Sequence, residues 1–253
     1  MSLQDRATNA VREVGSVALL GTRTIRTLFT TKFETRAFIR LVDSLGVRSM
    51  GIASATAIFV GMVMTLQFGV FMEQYGAKEA LGRVIGISEA RELAPALTSL
   101  VVGSRIAAGM AAEIGSMTVT EQVDAIRALG ADPIRKLVVP RVVASVVVMP
   151  LIACFALLLG LAASIFISKV TFGLSPAQFI GASLDAVRLS DFTSGLSKTP
   201  VFGFLISILG CYYGLNTRGG TEGVGRSTTR AVVVVSITVL VADALLTQLF
   251  LAL

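Results

Sequence analysis

EIGSMTVTEQVDAIRALGADPIRKLVVPR, residues 113–141, is a polar, punctuated stretch set between two long apolar runs. Thr118 and Glu121 stand at capping-box spacing, where a hydroxyl accepts from an orphan amide and a carboxylate reaches back, so they predict a helix start. Gly130 predicts its stop, since helices commonly end on a left-handed residue. Asp132 and Pro133 predict a second N-cap and first turn directly afterwards. Between these signals Val119, Val123 and Ile126 recur at three- and four-residue spacing, with Glu121, Asp124 and Arg127 on other faces. A short helix with a one-sided apolar stripe and no core of its own needs a partner surface. The stretch therefore reads as a docking element on the cytoplasmic side of a membrane protein.

The flanking sequence supports the membrane half of that reading. The chain has 253 residues, of which 54% are hydrophobic and 15% charged, with mean hydropathy +0.80. That is too apolar for an ordinary soluble domain. A helical span needs about 20 predominantly apolar residues, and five stretches qualify or nearly so. Residues 51–72 are uncharged; 93–112 are interrupted only by Arg105; 142–168 are uncharged and carry Pro150; 200–215 are short but uncharged; 231–253 are interrupted only by Asp243. The expected fold is all-α and polytopic, with a transmembrane domain over 51–253 and an amphipathic N-terminal segment over 1–50.

Basic residues give the orientation. Lys and Arg number eight before residue 51, four in 113–141 and three in 216–230, against three each in 73–92 and 169–199. The bias predicts that the N-terminus and the 113–141 and 216–230 loops are cytoplasmic, and that five crossings leave the C-terminus outside. The net charge of +6 then reflects topology and anionic headgroups. No basic run is interleaved with aromatics, so nucleic acid is not an expected partner.

Ahead of the first span, Phe33, Ala37, Phe38, Leu41, Val42 and Leu45 form a stripe opposed by Glu34, Arg36, Arg40 and Asp43, the pattern of an interfacial helix. Residues 14–29 read as a further surface or re-entrant helix. The apolar run 14–20 is short and lacks a small-x-small site, so a retained N-terminus is expected. Cys154 and Cys211 lie in apolar spans and read as small buried hydrophobes. Histidine is absent, which removes the commonest general base and metal ligand; no catalytic residue, metal site or cofactor in this chain is expected. The glycines of 219–225 lack the Lys-Ser/Thr ending of a phosphate loop and read as a flexible turn.

Several residues near the spans admit two readings. Gly103, Ala107, Ala111 and Gly115, with Ser104, Ala108 and Ala112 beside them, leave one face nearly bare, for tight packing within the bundle or near a dimer axis. Arg91 and Glu92 are either an interfacial ion pair or helix-end charges, or the lining of an outward-facing cavity. Arg105 should snorkel or pair inside the bundle, and Asp243 is either a proton-coupling group or a satisfied packing residue.

RELAPALTSLVVGSRIAAGMAAEIGSMTVTEQVDAIRALGADPIRKLVVPR, followed by GGTEGVGRSTTRAVV, resembles the MlaE/YrbE permease family of ABC transporters, from about residue 51 to the C-terminus. The resemblance implies a homodimeric permease of the bacterial inner membrane that moves glycerophospholipids between membranes. It implies a cytoplasmic ABC ATPase dimer, often a small STAS-domain protein, and a periplasmic ring of MCE-domain protein as partners, with ATP bound by the ATPase. On the same basis Arg91 and Glu92 match a charged pair lining a lipid cavity. Met64, Leu66, Phe68, Val70 and Phe71 would supply an acyl-chain wall. Residues 121–130, with Glu121, Val123, Asp124, Ile126, Arg127 and Gly130, match the helix that docks on the ATPase. The alternative is an ion-coupled secondary transporter of an amphipathic substrate, for which only Asp243 and Pro150 speak.

Overall fold

In hydrocarbon an unpaired backbone amide costs several kcal/mol, so an apolar run that crosses it must bond internally as a helix. The computed structural model describes residues 3–30 and 35–252. Every regular element among them is helical, and five helices are long and apolar enough to cross a membrane. The chain folds as α1 (Leu3–Thr30), α2 (Thr35–Leu45), α3 (Met50–Gln74), α4 (Leu81–Ser88), α5 (Thr98–Val119), α6 (Gln122–Ala128), α7 (Val139–Phe172), α8 (Pro176–Ala186), α9 (Leu189–Leu215) and α10 (Gly220–Ala252). The spans are α3, α5 with its lead-in α4, α7, α9 and α10. They run alternately between a basic end, holding α6 and the turn before α10, and a far end, holding the Gly76 turn and α8.

Helices α5, α7 and α9 make the centre. Val102, Ile106, Met149, Ile152, Phe202 and Ile206 are almost wholly buried there. Small residues bring the backbones together: a Cβ on Gly203 would lie 2.6 Å from the Ser145 carbonyl oxygen, and one on Gly210 3.0 Å from Ala107 Cα. Gly103, Ala107, Ala111 and Gly115 are therefore consumed by α9 and the turn that follows it in the same chain, and Ser104 bonds Ser236 of α10 at 3.0 Å. A satellite cluster of Leu81, Ile85, Phe172, Leu174 and Phe179 seals the far end. The outer faces are barely covered: 17% of the most apolar stretch of the α3 span and 11% of that of α10 are buried.

Several expectations need correction. Residues 113–141 are not one loop, because α5 continues to Val119 and a π-helical turn over Ile134–Val138 already leads into α7. Polar residues prolong both helices beyond the apolar runs. The Thr118/Glu121 capping box does not form. Thr118 lies inside α5 and donates to the Ile114 and Gly214 carbonyls, while Glu121, at φ +60°, turns the chain into α6. The fourth span starts eleven residues earlier than 200, at Leu189, and the expected flexible glycine turn is the first two turns of α10, with only Gly219 and Gly220 at positive φ. Gly130 (φ +73°) does end α6, and Asp132 Oδ1 accepts from the Ile134 amide at 2.9 Å as an N-cap would.

Phe33 and Glu34 fall outside the described residues, but Phe38, Leu41 and Val42 pack on the main core from α2. Helix α1 lies along α9 instead of standing free, with Gly21 against Phe204 and Glu13 accepting from the Tyr213 hydroxyl at 2.8 Å. Cys154 and Cys211 are free thiols. Arg105 is exposed on α5 and reaches to Ser49, to whose Oγ it donates at 2.6 Å.

Candidate substrate and coupling sites

Arg91 and Glu92 sit in a π-helical stretch, Glu89–Leu97, between α4 and α5. Pro95 within it has no N–H to donate to the Arg91 carbonyl four residues back. That carbonyl accepts from Lys198 Nζ at 3.3 Å. The two charged side chains do not pair with each other, which removes the ion-pair alternative; each is claimed by α9. Arg91 Nε meets Asp191 Oδ1 at 2.9 Å, and Asp191 Oδ2 also accepts from the Arg188 amide, fixing the start of α9.

Lys198 is 2% exposed and is the centre of the cluster. Its Nζ lies 2.9 Å from both Glu92 carboxylate oxygens, 3.2 Å from Asp243 Oδ1 and 2.7 Å from Thr247 Oγ1. Thr247 in turn donates to Glu92 at 3.1 Å. A buried ammonium is tolerated only when its protons all find acceptors, and here two helical segments, Glu89–Leu97 and α10, supply them. Asp243 is thus a paired group, not a bare acid in a span. The cluster forms one wall of a cavity of about 230 Å³, completed by Ile87, Ser88, Ser194 and Phe250.

Sequence reasoning missed Lys198 because it began the span at Pro200, leaving the lysine in an assumed loop. The available signal was an acid deep in α10 with no partner, and a base two residues outside the apolar run of α9.

Of the five residues expected in the acyl wall, three share one cleft. Leu66, Val70 and Phe71 line an open cleft of about 420 Å³ on α3 together with Val63, Gln67 and Gln74. Phe68 and Met64 face inward onto the satellite cluster and take no part in it. The α3 cleft and the Arg91 cavity share no lining residue; both lie on or beside the two least covered spans.

At the basic end, Arg141 is 6% exposed, pairs with Glu113 at 2.8 Å and donates to the Leu137 carbonyl, bracing α7 against α5. Beyond this brace, α6 projects as a short amphipathic helix. Val123 is 3% exposed and anchors it to its own chain, with Ile126 half-buried. The stripe taken as a docking surface is therefore largely spent on seating the helix. Glu121, Asp124, Arg127 and Gly130 are exposed, Asp124 and Arg127 pairing at 2.7 Å, and Leu129 is 86% exposed at the tip. Leu129 is the unpartnered apolar residue that the three- and four-residue spacing should have included.

A family model described as Permease MlaE matches residues 38–249. The chain is 36% identical over 235 residues to the chloroplastic protein TRIGALACTOSYLDIACYLGLYCEROL 1 of Arabidopsis thaliana, covering 93% of this chain and 67% of that one. It is 40% identical over 218 residues to a probable ABC transporter permease protein of Synechocystis, covering 86% of this chain and 83% of the other. A probable ABC transporter permease protein of Rickettsia conorii matches over 249 residues at 34% identity, covering 98% and 96% of the two chains.

Proposed function

Because the chain belongs to the MlaE permease family of ABC transporters, we propose that it moves glycerophospholipids between the bacterial inner membrane and a periplasmic MCE-protein carrier, driven by a separate ATPase dimer. The observation that carries the reading is the Arg91–Glu92–Lys198–Asp243 cluster, a charged wall beside a cavity at one end of an otherwise apolar bundle. An amphipathic substrate requires both surfaces at once. Asp191 holds Arg91 through Nε, which leaves the planar fork of the guanidinium available to a phosphate. With Asp191, three carboxylates stand beside two cations, so the wall offers a carboxylate to a headgroup amine as well as a guanidinium to its phosphate. Leu66, Val70 and Phe71 would take the acyl chains.

Two copies fit this scheme better than one. The α3 and α10 faces that carry the two clefts are the least covered in the chain, and a second copy seated on them would close both into one chamber. The basic end faces the cytoplasm, where α6 presents Leu129, Arg127 and Glu121 to the ATPase. Closure of the ATPase would push on α6, and α5, a rod of about 33 Å at 1.5 Å per residue, carries the displacement to the π-helical stretch and the cavity. The cycle then alternates between two populated cavity shapes.

The reading is tested by reconstituting the chain with its ATPase and carrier in liposomes, with photo-crosslinkers at Leu66, Val70 and Phe71. Capture of phospholipid at these positions, and ATP-dependent lipid transfer weakened by Arg91→Ala and only partly restored by Arg91→Lys, which keeps the charge without the fork, are expected. Absence of lipid capture together with transfer indifferent to ATP would overturn it. Leu129→Asp should reduce ATPase co-purification and lipid-stimulated turnover; unchanged values in a well-folded variant would remove α6 from the coupling route.

A further inference from the structure

We propose that the groove between α1 and the α9–α10 pair, with the arginine basin at its mouth, binds an anionic phospholipid. The site lies at the basic end, away from the Arg91 cavity, and does not depend on the transport reading.

The groove has a volume of about 490 Å³, within the range of ligand pockets. Val14, Val17 and Ile25 of α1 form one wall, and Phe204, Ile208 and Val234 the other. The α1 residues fall on one helical face, the pattern expected of a helix that presents an apolar stripe. They do not close on α9: Val14 remains 70% exposed and Ile25 45% exposed. The groove is held open at its mouth by Glu13, which accepts from the Tyr213 hydroxyl and from Arg230, both at 2.8 Å, while the Arg230 guanidinium sits 5.7 Å from the Tyr213 ring centre.

Glu13 and Tyr213 also line a second cavity of about 550 Å³, so the two are contiguous. This basin gathers Arg12, Arg218, Arg226 and Arg230 with Ser16 and Ser227. Glu13 takes Arg230, and Glu222 takes Arg226 at 3.3 Å. Among the described residues Arg12 and Arg218 pair with no carboxylate. Four cations against two carboxylates leave the basin positive by two.

An apolar slot opening directly into a cationic basin, at a helical interface with hydrocarbon, has the chemistry of an amphiphile with an anionic head. A free anion has no use for the slot, and a neutral headgroup none for the surplus arginines. A second copy of this chain seated symmetrically here would bring two arginine basins together, which like-charge repulsion opposes.

The test uses the full chain in nanodiscs of phosphatidylcholine doped with phosphatidylglycerol, with a photo-crosslinking residue at Val17, and at Leu66 and Leu184 as references. The Val17 probe should capture phosphatidylglycerol in excess of its share. The Arg12→Ala, Arg218→Ala variant should lose roughly fivefold of that preference per arginine removed, the ratio equivalent to about 1 kcal/mol per charge near anionic lipid. Arg12→Lys, Arg218→Lys should retain it, which guards against a folding defect. Inorganic phosphate at constant ionic strength should leave capture unchanged; if it abolishes the preference, the basin holds a free anion. Capture of both lipids in proportion to their abundance, a preference that survives in the alanine variant, or cross-linking of Val17 to a protein would each overturn the proposal. Capture at Leu66 in the same samples reports on the transport reading separately.

Discussion

Replacing Lys198 by alanine isolates the strongest electrostatic claim in the fold. The ammonium is 2% exposed and serves Glu92, Asp243 and Thr247, so its loss strands Asp243, whose side chain is 17% exposed, without a counter-charge. Removing one partner of a buried pair costs about 3–5 kcal/mol. Glu92 is 39% exposed on its side chain and recovers part of this through water, which places the expected loss near the lower figure, about 3 kcal/mol. At roughly 2–4 °C per kcal/mol for a chain of this size, the melting midpoint should fall by about 6–12 °C. Size-exclusion melting of a fluorescent fusion in detergent measures it. Lys198→Met combined with Asp243→Asn removes both charges, and because the cost comes from the stranded carboxylate it should recover more than half of the loss. Arg127→Ala, which breaks a pair whose two side chains are more than 60% exposed, is the control and should shift the midpoint by a degree or less. If Lys198→Ala behaves like the control, or if the double variant is no better than the single one, the network does not stabilise the bundle as argued.

Gly195→Val should cost about 1–3 kcal/mol, because any Cβ there presses on the Ala90 carbonyl and pushes α9 off the π-helical stretch; Gly181→Ala, with nothing near it, should be neutral or slightly stabilising in the same melt, and equal effects would refute the close-approach argument. Leu129→Cys and Ala252→Cys, each in a background with Cys154 and Cys211 replaced by alanine, should react with an impermeant thiol reagent from opposite sides of the membrane. Labelling of both from one side would refute five crossings.

The spans were legible because a long uncharged run has only one way to satisfy its backbone in hydrocarbon. Their ends were not, since Glu113–Val119 and Leu189–Thr199 are polar enough to look like loops and helical only because neighbouring helices pack on them. That misplacement hid Lys198, and with it the fact that Arg91 and Glu92 each face a different partner on α9. Glu121 could not be foreseen in the left-handed region, where non-glycine residues are uncommon. Phe68 could have been excluded from the α3 cleft, since at about 100° per residue it lies about 160° from both Leu66 and Val70. Leu129 could have been found as well, three residues after Ile126 on the same stripe. The basin on α1 and α10 was beyond reach, because Arg12 lies more than two hundred residues before the other arginines and no periodicity joins them.

The Lys198 cluster also sets a condition on how the molecule is made. Glu92 precedes the lysine by 106 residues and Asp243 follows it by 45. At a synthesis rate of about 5–20 residues per second, Asp243 leaves the ribosome roughly 2–9 s after Lys198. During that interval a lysine destined for the interior has Glu92 alone, and the final helix arrives as the piece that neutralises what earlier helices have already brought into the bilayer. A nascent chain cut short before α10 keeps an incompletely matched ammonium, which is costly in hydrocarbon. The cluster thus makes the last helix the element that completes the charge matching begun by the earlier ones.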